Sequence, residues 1–264
     1  MSTNTSLPKK QSVELQAASF FNTNPRDYVK TIPLERPGWV GKAYWGVSQL
    51  NYMSLLKYKH TYLHSGEEKM FAKFRFQRRK EQFLRGRYAA KRALALSIPS
   101  VKSNDIAIKP GVFQQPIVRS PIVDGLSVSI AHSGSRADSL WFPREHPMAI
   151  DVELLRSDNP EAIRSQLTNR EYRLKQRIGE DDVYFFTRLW TIKEALSKVL
   201  MTGLTTSLAI YEVEDLIRRD GFVQGSFTHF EQYQAVSIVH DMYMCSLVLP
   251  KNTNCFSVNW WLPK

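Results

Sequence analysis

The stretch that decides the fold is "DDVYFFTRLWTIKEALSKVLMTG", residues 181–203. Phe185, Phe186, Leu189, Ile192, Ala195, Leu196 and Val199 recur at helical spacing. Asp181 and Asp182 sit at the start, where the helix dipole favours acids, and Gly203 marks the end. The spacing predicts a long helix with apolar residues around most of its girth. Inside that pattern stand Lys193, Glu194 and Lys198. Glu194 and Lys198 are four apart, so they share one face, and two readings are open. One is an exposed ion pair worth a few tenths of a kcal/mol (~0.3). The other is a charged pair at the edge of a cleft.

Working outward, "HPMAIDVELL" (146–155) reads as a strand on which Asp151 and Glu153 point to one face and Val152 to the other. Two neighbouring carboxylates repel unless a cation lies between them or one holds a proton. Taken alone, the pair also suits a strand running out into solvent. Together, Asp151, Glu153 and Glu194 make a hard-oxygen donor set of the kind Mg²⁺ prefers. Lys198, one turn beyond Glu194, suits neutralising a phosphate oxygen or protonating a leaving group. This combination points to chemistry on a phosphate ester or pyrophosphate.

Other segments supply the frame. "NPEAIRSQLTNREYRLKQRIG" (159–179) predicts one or two helices, and residues 205–262 alternate as short strands. Residues 67–98 read as a single helix stopped by Pro99. Residues 27–52 read as short strands and turns punctuated by Pro33, Pro37, Gly38 and Gly41. "DIAIKPGVFQQPIV" and "LSVSIAHSG" read as strands with a turn between them. Both long helices carry Lys-X-Ala-Leu, at Lys91–Leu94 and Lys193–Leu196. The echo fits an α+β duplication: two similar α/β subdomains in a pseudo-twofold arrangement, each a small, mostly antiparallel sheet packed with a long helix. The groove between them is the expected site. The expected organisation is a flexible N-terminus (1–18), a basic first subdomain (19–140) and an acid-bearing second subdomain (141–264).

Charge divides along the same line. The 264-residue chain has a net charge of +11; residues 1–132 hold 21 lysines and arginines against 8 acids, and residues 133–264 hold 15 against 17. The basic half calls for an anionic partner: nucleic acid, a phosphorylated cofactor, an acidic protein or a membrane surface. Within residues 69–92 ten basic side chains face a single acid, Glu81. Phe71, Phe74, Phe76 and Phe83 interleave with them and read as core. No apolar run approaches the ~20 residues a bilayer span needs. The polar N-terminus lacks a signal core, and with only Cys245 and Cys255 present the expectation is a cytoplasmic protein with free thiols. Trp260 and Trp261 in the tail are expected to pack back on the core. The histidines at 60, 64, 146, 229 and 240 carry no signal.

At this point the residues reach a resemblance. "AIDVE" (149–153), about forty residues, and then "LWTIKEALSK" (189–198) resembles the signature of the 4'-phosphopantetheinyl transferase family. That signature is a small residue, an apolar residue, Asp-X-Glu, a spacer and Trp-X-X-Lys-Glu-Ala-X-X-X-Lys. "VSIAHSG" resembles the family's Ser-His-Ser segment, "FQQPIV" its Gly-Lys-Pro turn, "FLRGRYAAKRAL" its first-half helix and "TNREY" its Thr/Ser-X-X-Glu segment. The matches run in order from about residue 67 to 204. The length resembles the larger, pseudo-dimeric (surfactin-synthetase-activating) type.

The resemblance implies transfer of the phosphopantetheine arm of coenzyme A to a serine of an acyl or peptidyl carrier protein, with 3',5'-ADP released. It implies Asp151, Glu153 and Glu194 as the Mg²⁺ site (Mn²⁺ being an alternative), Glu194 as the base for the serine and Lys198 on the phosphate. It implies His132 at the 3'-phosphate, Lys69, Arg87 and Lys91 at the nucleotide phosphates, and Gln115, Pro116 and Ser133 along the coenzyme. An acidic carrier helix would dock on the basic first half. Nucleic acid and membrane are not expected partners, and a monomer is expected because both halves build one site. Fatty-acid, polyketide and nonribosomal-peptide carriers all fit. Three residues depart from the pattern: Ala149 for glycine, Gln115 for the lysine of Lys-Pro, and Ala131 for the serine before the histidine. The competing readings are a Mg²⁺-dependent nuclease, a non-catalytic nucleic-acid-binding protein and, motivated by Gln115 and Ala131, a degenerate, inactive transferase. The nuclease reading is disfavoured because such sites want Glu-X-Lys on a strand. The binding-protein reading leaves the acids idle.

Overall fold

Two stretches of alternating or near-continuous apolar residues, one in each half, build two antiparallel sheets. A computed structural model describes residues 26–156 and 164–256. The expected flexible N-terminus (1–18), the start of the helical stretch at 159–163 and the two tail tryptophans lie outside the described residues.

The first half opens with the hairpin β1 (Tyr28–Arg36) and β2 (Trp39–Ser48), turned at Pro37–Gly38 with Gly38 at positive φ. It is one continuous hairpin rather than the several short strands expected. Pro33 lies within β1, and β1 is an edge strand, where a missing N–H is tolerated. The short helices α1 (Tyr52–Lys57), α2 (Lys59–Tyr62) and α3 (Ser65–Ala72) lead to the long helix α4 (Gln77–Ser97). The helix expected over 67–98 is therefore two. The break at residues 73–76 lets Phe74 fold back onto Phe83, with ring centroids 5.1 Å apart. The hairpin of β3 (Ala107–Pro110) and β4 (Pro116–Arg119) follows, and then β5 (Leu126–Ser133) and β6 (Arg136–Pro143). The first sheet has the order β1-β2-β6-β5, with β3-β4 beside it as a separate ribbon.

The second half repeats the plan. It runs β7 (Ala149–Leu154), α5 (Asn169–Ile178), α6 (Asp182–Val199), then β8 (Val213–Arg219), β9 (Phe222–Phe227), β10 (Tyr233–His240) and β11 (Tyr243–Pro250). Its sheet has the order β7-β11-β10-β9-β8. Helix α5 ends on Gly179 at φ 63°, a left-handed cap that spares a Cβ its usual clash.

Alternation along the strands sorts side chains into layers. Ile150, Val152, Leu247 and Leu249 from the second sheet pack against Trp45, Leu140 and Phe142 from the first, so the two sheets share one core. Ala149, Ala235 and Val248 turn the other way, onto Phe185, Leu189 and Ile192 of α6. Trp141 and Val128 likewise face Ala90, Ala93 and Leu94 of α4. The order of layers is α4, first sheet, second sheet, α6, a mixed α+β architecture with helices outside.

The echo seen in the sequence has a physical basis. In each half the glutamate of a helix capping box pins a buried lysine of the long helix to the strand that follows. Glu67 receives the His64 N–H (2.9 Å) and the Ile108 N–H (3.1 Å) and pairs with Lys91 Nζ (3.0 Å). Glu171 receives the Thr168 N–H (3.0 Å) and the Val213 N–H (2.9 Å) and pairs with Lys193 Nζ (2.8 Å). Strand register extends the match. Gly46 sits opposite Ser139 in the first sheet as Asp151 sits opposite Ser246 in the second.

Strand β6 has no clear alternation to read because its inward positions hold an ion pair. Arg136 and Asp138, both fully buried, meet at 2.6 Å. Asp138 also accepts the Trp45 indole N–H at 2.8 Å, and Arg136 reaches Cys245 Sγ of the facing sheet at 3.3 Å. A buried pair is tolerated when such partners satisfy its remaining donors and lone pairs.

Candidate active site

The sheets meet along their edge strands, β5 and β7, and the candidate acids lie on this seam. Asp151 and Val152 point to opposite faces, as expected; Val152 enters the core between the sheets and Asp151 meets Lys198 of α6. Lys198 Nζ lies 2.6 Å from Asp151 Oδ1, 3.8 Å from Glu194 Oε1 and 3.3 Å from the Ile150 carbonyl. Glu153 accepts a 2.6 Å hydrogen bond from the Ser133 hydroxyl. The structure thus brings Asp151, Glu194 and Lys198 into one cluster, with Glu153 beside it.

Electrostatics follow from burial and crowding. Asp151 is 4% exposed, and burial raises its carboxyl pKa, with Glu194 and Glu153 adding repulsion and Lys198 opposing them. Burial also raises Glu153, while Ser133 and Trp190 pull it back toward the ionised form. For Lys198 burial acts downward, but Asp151 and Glu194 outweigh it, and the net direction is up.

Among the described residues no three His, Cys, Asp or Glu side chains are gathered into a metal-holding group. The donors nevertheless fit a hard divalent cation in kind. All three are carboxylates, and Asp151 Oδ2 is buried with no hydrogen-bond partner. Lys198 supplies the positive charge that this carboxylate faces.

Glu194 and Lys198 also line a cleft of about 300 Å³. Phe113, Gln115 and Pro116 from the β3–β4 turn and Ile130 of β5 form its other wall. Gln114 in that turn holds a positive φ of 63°, and the Gln115 side chain folds back to accept the Phe113 N–H at 2.9 Å. Gln115 and Pro116 therefore share a cavity with Glu194 and Lys198.

His132 is half-buried on β5 beside α4. Gly86 of α4 allows this approach, since a Cβ there would stand 3.0 Å from Ile130 Cγ2 and 3.5 Å from His132 Cδ2. Burial lowers the imidazole to about 4, helped by Lys198, Arg79, Arg87 and Arg85, so it is neutral near pH 7.

The basic residues divide by burial. Lys69 on α3 and Lys73, Arg75, Arg78 and Arg79 around the helix break are exposed. Arg87 is turned inward, pairing with Glu67 at 2.9 Å and donating to the Ile108 carbonyl at 3.1 Å. Lys91 departs from its expected place at the nucleotide phosphates. It is 1% exposed and shares its donors among Glu67, the Ser103 carbonyl and the Ile106 carbonyl, so it faces the interior of the first half. Ser133, expected along the coenzyme, donates to Glu153 instead. The sequence reading did not single out Gly86 or Ser129. A glycine inside a strong helix pattern was the one available signal, for Gly86.

A family model for the 4'-phosphopantetheinyl transferase superfamily matches residues 147–248, from just before β7 into β11. The match covers the acids of β7, all of α6 and most of the second sheet. No curated protein matches the chain. Among the described residues no helix is long and apolar enough to cross a membrane.

Proposed function

We propose that the chain is a phosphopantetheinyl transferase of the larger, two-subdomain type, moving the phosphopantetheine arm of coenzyme A onto a carrier-protein serine. One observation carries the reading: Asp151, Glu194 and Lys198 converge where β7 meets α6, beside the cleft between the halves and inside the matched segment.

In this reading Asp151, Glu153 and Glu194 would hold Mg²⁺, which when bound offsets charge on the pyrophosphate. Glu194 accepts the proton of the carrier serine. The serine oxygen forms a bond to the phosphorus bearing the pantetheine arm as the bond from that phosphorus to the ADP oxygen breaks. Lys198 neutralises charge on the departing 3',5'-ADP. His132, neutral beside α4, donates a hydrogen bond to the 3'-phosphate, with Lys69 and inward-turned Arg87 completing the basic side. Lys91 takes no part, since its donors are spent in the interior. The apolar wall of the cleft takes the pantetheine arm past Gln115 and Pro116.

The carrier partner follows from charge. Phe76, which the sequence read as core, is 79% exposed at the start of α4, and exposed Lys73, Arg75, Arg78 and Arg79 flank it along the chain. Basic side chains flanking an exposed aromatic ring suit an acidic, amphipathic helix.

The test is the intact mass of an apo carrier protein after incubation with the chain, coenzyme A and Mg²⁺. The expected result is a gain of one phosphopantetheine, lost on chelation and in Glu194→Gln. No gain on fatty-acid, polyketide or peptide carriers would overturn the reading.

A further inference from the structure

Strands β5 and β7 lie edge to edge, and serine hydroxyls supply acceptors across the seam. Ser129 and Ser133 are four apart on β5 and so share a face. They accept the N–H groups of Ile150 (3.3 Å) and Leu154 (3.0 Å), which are four apart on β7. The two serines differ in one respect. The Ser133 hydroxyl also donates to Glu153 Oε2, at 2.6 Å.

We infer that Ser133 is a positioning residue that fixes the Glu153 carboxylate for cation binding. This rests on the reading of Asp151, Glu153 and Glu194 as the cation site. The Leu154 N–H occupies a lone pair of the Ser133 oxygen, which leaves the hydroxyl hydrogen for the carboxylate. A short bond from a neutral donor to an ionised acceptor is among the stronger and more directional kinds. It holds one carboxylate oxygen in place. The donor comes from the first half and the acceptor from the second, so the acid is aimed by the opposite subdomain. Partners that orient a ligand in this way commonly change metal affinity by about ten- to a hundredfold when removed. The family resemblance placed Ser133 on the coenzyme, and the geometry assigns it to the acid.

The experiment titrates the full chain with Mn²⁺ alone, reading free Mn²⁺ by electron paramagnetic resonance. It compares wild type, Ser133→Ala, Ser133→Thr and Ser129→Ala, each checked for its melting temperature. Ser133→Ala is expected to weaken Mn²⁺ binding by about tenfold, and Ser133→Thr, which keeps the hydroxyl, to restore it to within about twofold. Ser129→Ala is expected to lower the melting temperature while leaving Mn²⁺ affinity at the wild-type value. In the transfer assay Ser133→Ala should raise the metal concentration for half-maximal rate and leave KM for coenzyme A unchanged.

Wild-type Mn²⁺ affinity in Ser133→Ala, or equal losses in the Ser129 and Ser133 variants, would overturn the inference. So would a raised KM for coenzyme A with unaltered metal dependence. No Mn²⁺ binding by the wild type would overturn the cation site and this inference together. Mn²⁺ binding that responds to Ser133, without transfer to any carrier, would support the inference and overturn only the proposed reaction.

Discussion

Lys198 Nζ lies 2.6 Å from Asp151 Oδ1, and the other oxygen of that carboxylate has no partner. The lysine is thus the counter-charge of the acidic cluster, and a divalent cation at Asp151 competes with it. Lys198→Met is expected to bind Mn²⁺ more tightly than wild type in a direct titration without coenzyme A. The same variant should transfer the arm about 10² to 10³ times more slowly, because a preorganised positive charge at the leaving group is lost. Weaker Mn²⁺ binding in Lys198→Met would contradict this.

Glu194 is the candidate base. Glu194→Gln keeps the size of the side chain and removes the proton acceptor. The expected loss in kcat is about 10² to 10⁴. The melting temperature should remain near wild type, since this side chain is about a quarter exposed. Single-turnover kinetics with saturating carrier would measure it.

The Glu67–Lys91 and Glu171–Lys193 pairs are both almost fully buried. Breaking one partner of such a pair leaves a buried charge and costs about 3–5 kcal/mol. Lys91→Met and Lys193→Met are each expected to lower the denaturant midpoint by a comparable amount. If Lys91 instead served a nucleotide phosphate, its loss would raise KM for coenzyme A and spare stability.

Arg78 and Arg79 are exposed at the start of α4. Reversing both to glutamate should raise KM for an acidic carrier protein several-fold and lessen its salt dependence. KM for coenzyme A should hardly move. Equal changes in both constants would sink the docking surface.

The pH dependence of stability has a definite sign at Asp151. Its folded pKa, about 8, is above the unfolded value of 3.8, so the folded chain retains a proton that the unfolded chain releases. Stability from this group is complete below about pH 4 and is lost as pH rises toward about 8. The fall in melting temperature between pH 5 and pH 8 should therefore be smaller in Asp151→Asn than in wild type. Thermal unfolding at the two pH values measures the difference.

Periodicity carried the parts of the molecule governed by one rule at a time. Helix α6 is legible because its apolar face and its acidic start agree. Strand β7 is legible because Asp151 and Val152 alternate across a sheet with two distinct faces. Strand β6 was missed because Arg136 and Asp138 occupy core positions, where their charges satisfy each other. Pattern reading has no term for a pair that becomes acceptable only after folding. The break before α4 was missed for a related reason: Phe74 leaves the helix to reach Phe83, a tertiary contact. Residue types and spacing picked out Asp151, Glu153, Glu194 and Lys198 as one candidate set, and the structure places Asp151, Glu194 and Lys198 together with Glu153 beside them. Lys91 shows the limit. Its spacing on α4 suits a phosphate contact, and only the position of Glu67 reveals that it points inward.

The duplicated frame sets the stoichiometry. Aligned by strand register and by the two pinned lysines, Gly46, Ser48, Arg92 and Leu96 occupy in the first half the places of Asp151, Glu153, Glu194 and Lys198. Gly46 leaves no room for a carboxylate, since even a Cβ there would meet the Ala89 carbonyl at 2.5 Å. On the proposed reading, two copies of one architecture would build a single reaction centre, and each chain should bind one equivalent of coenzyme A rather than two.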